Sequence, residues 1–418
     1  MALAPVRRVL PNGLTVITAR NPLIPAVSIA IGVNAGATAD PAPGTAALTA
    51  RVLDKGTTRY DADAIADELE GRGASLSVGA GRQQIVVSAT CLVEDIGAVL
   101  PVACAVARQP TFPDGEVATR RAELITGIQE AADDPGSVAV DALHAALYPD
   151  GHPLGRAVRG THDAVAALTR ADLVAFHQRY FVPGAAIVVA VGDLDAEMLA
   201  DRISREFADW RGEPTPIPVP PAPAPRGERT LIVKAMLDKS QADVAYGTVG
   251  LARRDPDYYA ALVMNNALGQ YALGGRLGDS IRERQGMAYY VYSSMDAGLD
   301  AGPLMVRAGV SSENVERTVA SIDTELTAVL TGGFTAAEVD DAKRYLIGSL
   351  PRQLETNAGI AGFLLSAEVY GLGIDHDVRL PQRIAEVTHG DVARVARRLL
   401  DPARAVVVVA GPWSGPAA

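Results

Sequence analysis

The sequence predicts an α+β protein made of two homologous domains, and three observations carry that expectation. First, Thr169, Asp172, Pro183 and Gly192 recur as Thr388, Asp391, Pro402 and Gly411, each pair 219 residues apart. Thr-x-x-Asp is a helix-capping pattern and the proline ends that helix. The runs that follow, Ala-Ala-Ile-Val-Val-Ala-Val and Ala-Val-Val-Val-Val-Ala, are those of buried strands. Second, Glu213–Arg226 holds seven prolines and almost no bulky apolar residue, the composition of an extended spacer. Third, 418 residues exceed one ordinary core, and 48% hydrophobic with 21% charged residues are globular values. The expected boundaries are 1–212 for the first domain, 213–227 for the linker and 228–418 for the second domain.

The first half reads in order. Residues 6–20 alternate as two strands around Asn12-Gly13, a hairpin signal. Ala26–Val33 is a further apolar strand, and Gly44 opens a short helix. Asp61–Arg72 is amphipathic and helical, Ala74–Leu92 is strand-rich, and Glu94–Arg108 is helical again. Glu116–Ala132 is a long helix broken at Asp134-Pro135.

Composition excludes several function classes. A net charge of −11 and a pI near 5.1 argue against nucleic acid as a partner, because phosphate binding needs a basic surface. No run of about eighteen apolar residues is present, so no membrane span is expected. The N-terminus lacks a secretory h-region; a native chain is then cytoplasmic, and one trimmed of a leader periplasmic. Cys91 and Cys104 are too few for a disulfide framework or zinc cage and read as buried thiols. His144, His152, His162, His177, His376 and His389 are never four apart, so no helical pair of metal ligands exists. Gly-x-Ser-x-Gly and phosphate-loop patterns are also absent.

Two stretches remain. Gly44–Thr57 is a helix by its alanines and its Leu48/Val52 face, with Gly56 as the stop. Leu277–Tyr292 reads Leu-Gly-Asp-Ser-Ile-Arg-Glu-Arg-Gln-Gly-Met-Ala-Tyr-Tyr-Val-Tyr, following Gly274-Gly275. Within it Arg282 and Tyr289, a fixed cation and a phenol, can both donate to a carbonyl oxygen that gains charge. Taken alone, Arg282 also reads as a solvated helix charge and Tyr289 as a half-buried strand residue.

Both stretches resemble the pitrilysin/insulinase zinc peptidases, in the bacterial two-domain branch that is similar to mitochondrial processing peptidase. The family's zinc helix runs Gly-x-x-His-x-x-Glu-His and ends in Lys-Gly-Thr, as Lys55-Gly56-Thr57 does here. The resemblance places the two histidine ligands at Ala47 and Arg51, the glutamate base at Ala50 and the third ligand at Gly127. Alanine has no lone pair and arginine no acceptor, so this chain is expected to bind no metal itself. Leu277–Tyr292 matches the family's Arg-Leu-x-x-x-Ile-Arg-Glu-Lys-x-Gly-Leu-Ala-Tyr segment. There the arginine and tyrosine project into a chamber, hold the substrate backbone and stabilise an oxyanion, which maps these roles onto Arg282 and Tyr289. Asn12-Gly13-Leu14, His152-Pro153-Leu154-Gly155 with Gly160, Leu354-Glu355-Thr356 and Tyr370-Gly371-Leu372 extend the match along the chain.

The resemblance implies two domains, each a mostly antiparallel sheet with helices packed on it, together forming a clamshell half. It further implies a non-catalytic subunit of a heterodimeric metallopeptidase, with zinc on a homologous partner subunit and a peptide or unfolded polypeptide as substrate. The alternative is a structural or peptide-binding homologue with no part in proteolysis.

Overall fold

Asn12-Gly13 makes the first turn, as its sequence requires: Gly13 N–H donates to the Leu10 carbonyl, and the Asn12 carboxamide accepts from Leu14 N–H. The turn joins β1 (Val6–Val9) to β2 (Thr15–Arg20) in antiparallel register. In the computed structural model, residues 3–218, 223–224, 227–270 and 274–415 are described. Parts of the expected spacer (219–222 and 225–226) therefore lie outside the described residues.

The chain continues with β3 (Ala26–Val33), α1 (Thr45–Val52), α2 (Ala62–Glu70), β4 (Ser75–Ala80) and β5 (Ile85–Leu92). Next come α3 (Ile96–Arg108), α4 (Asp114–Ala132), α5 (Pro135–Leu147), α6 (His162–Ala167), α7 (Arg170–Tyr180), β6 (Ala186–Gly192) and α8 (Ala196–Glu206). The second half holds β7 (Thr230–Ala235), β8 (Ala242–Val249), α9 (Tyr258–Asn265), β9 (Ala288–Met295), β10 (Pro303–Val310) and α10 (Val315–Gly332). It ends with α11 (Ala336–Gln353), α12 (Asn357–Val369), α13 (His376–Glu386), α14 (His389–Leu399) and β11 (Val406–Gly411). Asp134 does more than break α4: its carboxylate accepts from Ser137 N–H and caps α5.

The duplication holds at the level of hydrogen bonds. Thr169 and Asp172 form a capping box on α7, and Thr388 and Asp391 form the same box on α14. Each helix leads through a proline turn into the strand shared by the two sides of its sheet. Val188 in β6 pairs in parallel with Val16 and antiparallel with Ile31. Val407 in β11 pairs in parallel with Leu231 and antiparallel with Tyr246. The sheet orders are β1-β2-β6-β3-β5-β4 and β7-β11-β8-β10-β9, antiparallel apart from those parallel pairs.

The packed units differ from the contiguous 1–212 and 228–418 expected from sequence. One unit comprises Met1–Ile128, Ala157–Val219 and Leu350–Val378; the other comprises Gln129–Arg156, Pro220–Ser349 and Arg379–Ala418. Each sheet therefore takes one helix from the opposite half of the sequence. On the first sheet, one face packs with α1, α3, α7 and α8 around Val27, Ile29, Ile31 and Val188. The other face of β3 and β6 is covered by α12, whose Leu365 presses on Gly32 and whose Asn357 donates to the Ala26 carbonyl at 2.8 Å. On the second sheet, α9, α10 and α14 cover one face. The other receives α5, with Ala139, Leu143 and Leu147 against Ala245, Val406 and Val408. The reason is in β6 and β11, which are buried along their whole length and so need cover on both faces.

Leu143→Ala is expected to destabilise the chain by about 2–5 kcal/mol, since the side chain is fully buried beneath the second sheet. Urea denaturation checks this. A second expectation concerns His177, whose Nε2 donates to the Ala107 carbonyl at 2.9 Å while its ring stacks on Phe181. Burial pushes its pKa down from 6.5 to about 4. The unfolded chain then binds the extra proton, so this contribution is complete above about pH 6.5 and falls as pH drops towards about 4. Urea midpoints across that window should fall less steeply for His177→Gln, which cannot titrate.

Candidate functional site

The helix that the resemblance assigns to zinc is a packing element here. The Asp40 carboxylate holds its start, accepting from Gly44 N–H at 2.9 Å and Ala46 N–H at 2.7 Å. Ala47 and Ala50, at 9% and 4% exposure, belong to the first hydrophobic core. Arg51 is exposed, and Gly127 lies on α4 facing open space, with nothing within 4 Å of an added Cβ. The carboxylate one turn earlier, Glu123, is engaged by Arg120 at 2.7 Å. Among the described residues, no group of three or more His, Cys, Asp or Glu is arranged to hold a metal ion. The residues present at these positions do not fit zinc.

The buried histidines serve the fold. His144 Nδ1 bonds the Leu154 carbonyl at 3.0 Å, and His152 Nδ1 accepts from Leu154 N–H at 3.1 Å. Both cysteines are buried and free, and burial pushes the Cys91 thiol up to about 11.

Arg282 and Tyr289 lie in the second unit, on either side of one turn. After α9, the chain forms a wide π-type turn over Asn266–Gln270 and another over Gly278–Arg284, which carries Arg282. Such turns add a residue per turn and recur at functional sites. Gly286, at φ +63, then reverses the chain; its N–H donates to the Arg282 carbonyl at 3.0 Å. Strand β9 starts two residues later on the edge of the sheet. Its ladder with β10 runs Gly309↔Tyr290 and then jumps to Val310↔Ala288, so Tyr289 is the extra residue of a β-bulge. By strict alternation Tyr289 would share the core face with Val291. The bulge gives that place to Ala288 and turns Tyr289 outward, 81% exposed.

The Arg282 side chain is 40% exposed, and its one ion pair among the described residues, to Glu283, is at 3.9 Å. The Tyr289 hydroxyl makes no hydrogen bond among the described residues. Two donors on one turn and strand thus remain open to an acceptor, which suits a carbonyl oxygen that gains charge.

A polar cluster beside Tyr289 escaped the sequence reading. Tyr290 donates to the nearly buried Asp243, and Arg307 reaches Asp243 Oδ1 at 3.2 Å and the Tyr292 hydroxyl at 3.3 Å. Burial, reinforced by Asp243, pushes the Tyr290 phenol well above its ordinary value. Burial opposes the charge on Arg307, yet Tyr290, Tyr292 and Asp243 together raise its pKa. The signal was a carboxylate in the strand Ala242-Asp-Val-Ala-Tyr-Gly, where a buried charge needs a partner.

Comparisons with known proteins bear on the family and the fold. Residues 15–162 match the family model for insulinase (peptidase family M16), and residues 167–346 match that for the peptidase M16 inactive domain. An uncharacterized zinc protease of Mycobacterium tuberculosis is 31% identical over 409 residues, covering 96% of this chain and 91% of the relative. A probable mitochondrial-processing peptidase subunit beta of Schizosaccharomyces pombe is 28% identical over 414 residues, covering 94% of this chain and 88% of the relative. The crystal structure of a peptidase M16 inactive domain from Pseudomonas fluorescens superposes with a TM-score of 0.91 at 28% identity, over 99% of both chains. The chain belongs to peptidase family M16, the insulinase family.

Proposed function

We propose that this chain is the zinc-less subunit of a heterodimeric metallopeptidase. It supplies Arg282 and Tyr289 to a zinc site carried by a homologous partner subunit. The observation that carries this reading is a contrast within one chain: the metal positions are filled with alanine, arginine and glycine, while two demanding donors stay exposed and open. One relative bears the name of a subunit of a processing peptidase, which supports a two-chain arrangement. The substrate is a peptide or an unfolded polypeptide. Arg282, planar and permanently charged, grips its backbone carbonyls; the Tyr289 hydroxyl donates to the scissile carbonyl oxygen as charge develops there. No described helix is long and apolar enough to cross a membrane.

Co-expression with a zinc-bearing homologous subunit, followed by peptide cleavage with and without chelator, tests the proposal. The isolated chain is expected to hold no stoichiometric zinc by elemental analysis and to cleave no peptide. Installing Ala47→His with Arg51→His should give weak zinc binding at best, because Gly127 supplies no third ligand. In the complex, Tyr289→Phe should cost roughly 2.7–4 kcal/mol of transition-state stabilisation, mostly in kcat. Arg282→Lys should also be costly, since a point charge cannot reproduce the guanidinium fork. Full turnover by a complex carrying both substitutions would favour the structural homologue instead.

A further inference from the structure

Tyr289 and Tyr290 are chain neighbours with opposite surroundings, and the register of one edge strand decides which faces solvent. Asp243 in β8, Gly309 in β10 and Tyr290 in β9 form one row across three strands, paired Asp243↔Gly309 and Gly309↔Tyr290. The Tyr290 ring crosses this row above Gly309: a Cβ there would stand 2.5 Å from Tyr290 Cε1 and 2.3 Å from Gln241 Nε2. Only glycine leaves room for the ring. Its hydroxyl thereby reaches two strands over and donates to Asp243 Oδ1. Arg307, on the same face of the sheet, brackets the pair, with Nη2 at 3.2 Å from Asp243 Oδ1 and 3.4 Å from the Tyr290 hydroxyl.

The row coincides with the last regular pair before the bulge. A bulge on an edge strand has no second neighbour to hold it, and a one-residue slip exchanges the faces of every side chain beyond it. Here a slip would send Tyr290 outward and draw Tyr289 under the sheet. It would also strip a buried carboxylate of its phenol partner, which is costly.

The geometry points to Tyr290 and Asp243 as positioning residues that lock the register of β9 and so present Tyr289, with Gly309 as the gap that admits the lock. Its catalytic consequence rests on the subunit reading above. The lock itself is a property of this chain.

Two measurements separate these. In the isolated full-length chain, amide hydrogen exchange at residues 288–290 should rise about tenfold or more in Tyr290→Phe, the scale of losing a hydrogen bond to a charged group, with β8 and β10 unaffected. Gly309→Ala, which crowds the ring instead of removing its hydroxyl, should do the same. Unchanged exchange in both would overturn the lock.

In the complex, Tyr290→Phe should lower kcat about tenfold or more with KM unchanged, the scale of a misplaced donor. Because Tyr290 acts through Tyr289, the double variant Tyr289→Phe/Tyr290→Phe should be no slower than Tyr289→Phe alone. Multiplying losses would mark Tyr290 as structural and overturn its positioning role. Full turnover by Tyr289→Phe would instead overturn the subunit reading, and exchange alone would then decide the lock.

Discussion

Strands β6 and β11 are buried on both faces, and much of the chain's organisation follows from covering them. Mostly antiparallel sheets commonly leave one face wet, but runs such as Ile-Val-Val-Ala-Val and Val-Val-Val-Val-Ala leave no polar face to turn outward. Each half covers one side of its sheet with its own helices. The second cover comes from the other half, as α12 and α5, whose only charged residues are Glu368 and Asp141. These helices have little to offer solvent and much to bury. Neither half taken as a contiguous stretch contains both of its own covers, so the packed unit and the duplicated unit are different objects.

The same reasoning applies to helix α1, which packing and capping hold in place. Helix α1 carries alanine, the best helix former, at positions 46, 47 and 50. Those alanines sit against the first core, with the Asp40 carboxylate fixing the first turn. The stretch therefore contributes packing whether or not it contributes chemistry. Its Lys-Gly-Thr ending has a matching structural use, since Gly56 bridges to Asp61 and Thr57 to Pro110.

The Arg282–Tyr289 segment uses the opposite strategy. A π-type turn, a reversal at Gly286 and a bulge are each departures from regular structure, and together they turn two polar side chains away from the apolar residues beside them. Ile281, Met287, Ala288 and Val291 around them are packed in the second core. The donors thus stand on a rigid base, which suits groups that must meet developing charge without reorganising.

By itself the sequence determined what local chemistry can determine. The Asn12-Gly13 hairpin and the capping boxes at Thr169 and Thr388 depend on contacts within a few residues, and the central strands announce themselves by their own β-branched runs. That no side chain at Ala47, Ala50, Arg51 or Gly127 can ligate a metal is readable from residue type once the family resemblance assigns those positions, and the same resemblance is what singles out Arg282 with Tyr289. Even the exchanged helices left traces, for Leu354-Glu355-Thr356 and Tyr370-Gly371-Leu372 bracket α12. Where α12 and α5 would dock was not legible, because an apolar helix specifies burial and not the sheet that provides it. The outward turn of Tyr289 and the row from Asp243 to Tyr290 likewise belong to the tertiary structure. Strand register is set by side chains distant in sequence, here a carboxylate, a glycine and a phenol on three strands, which come together only when the sheet is assembled.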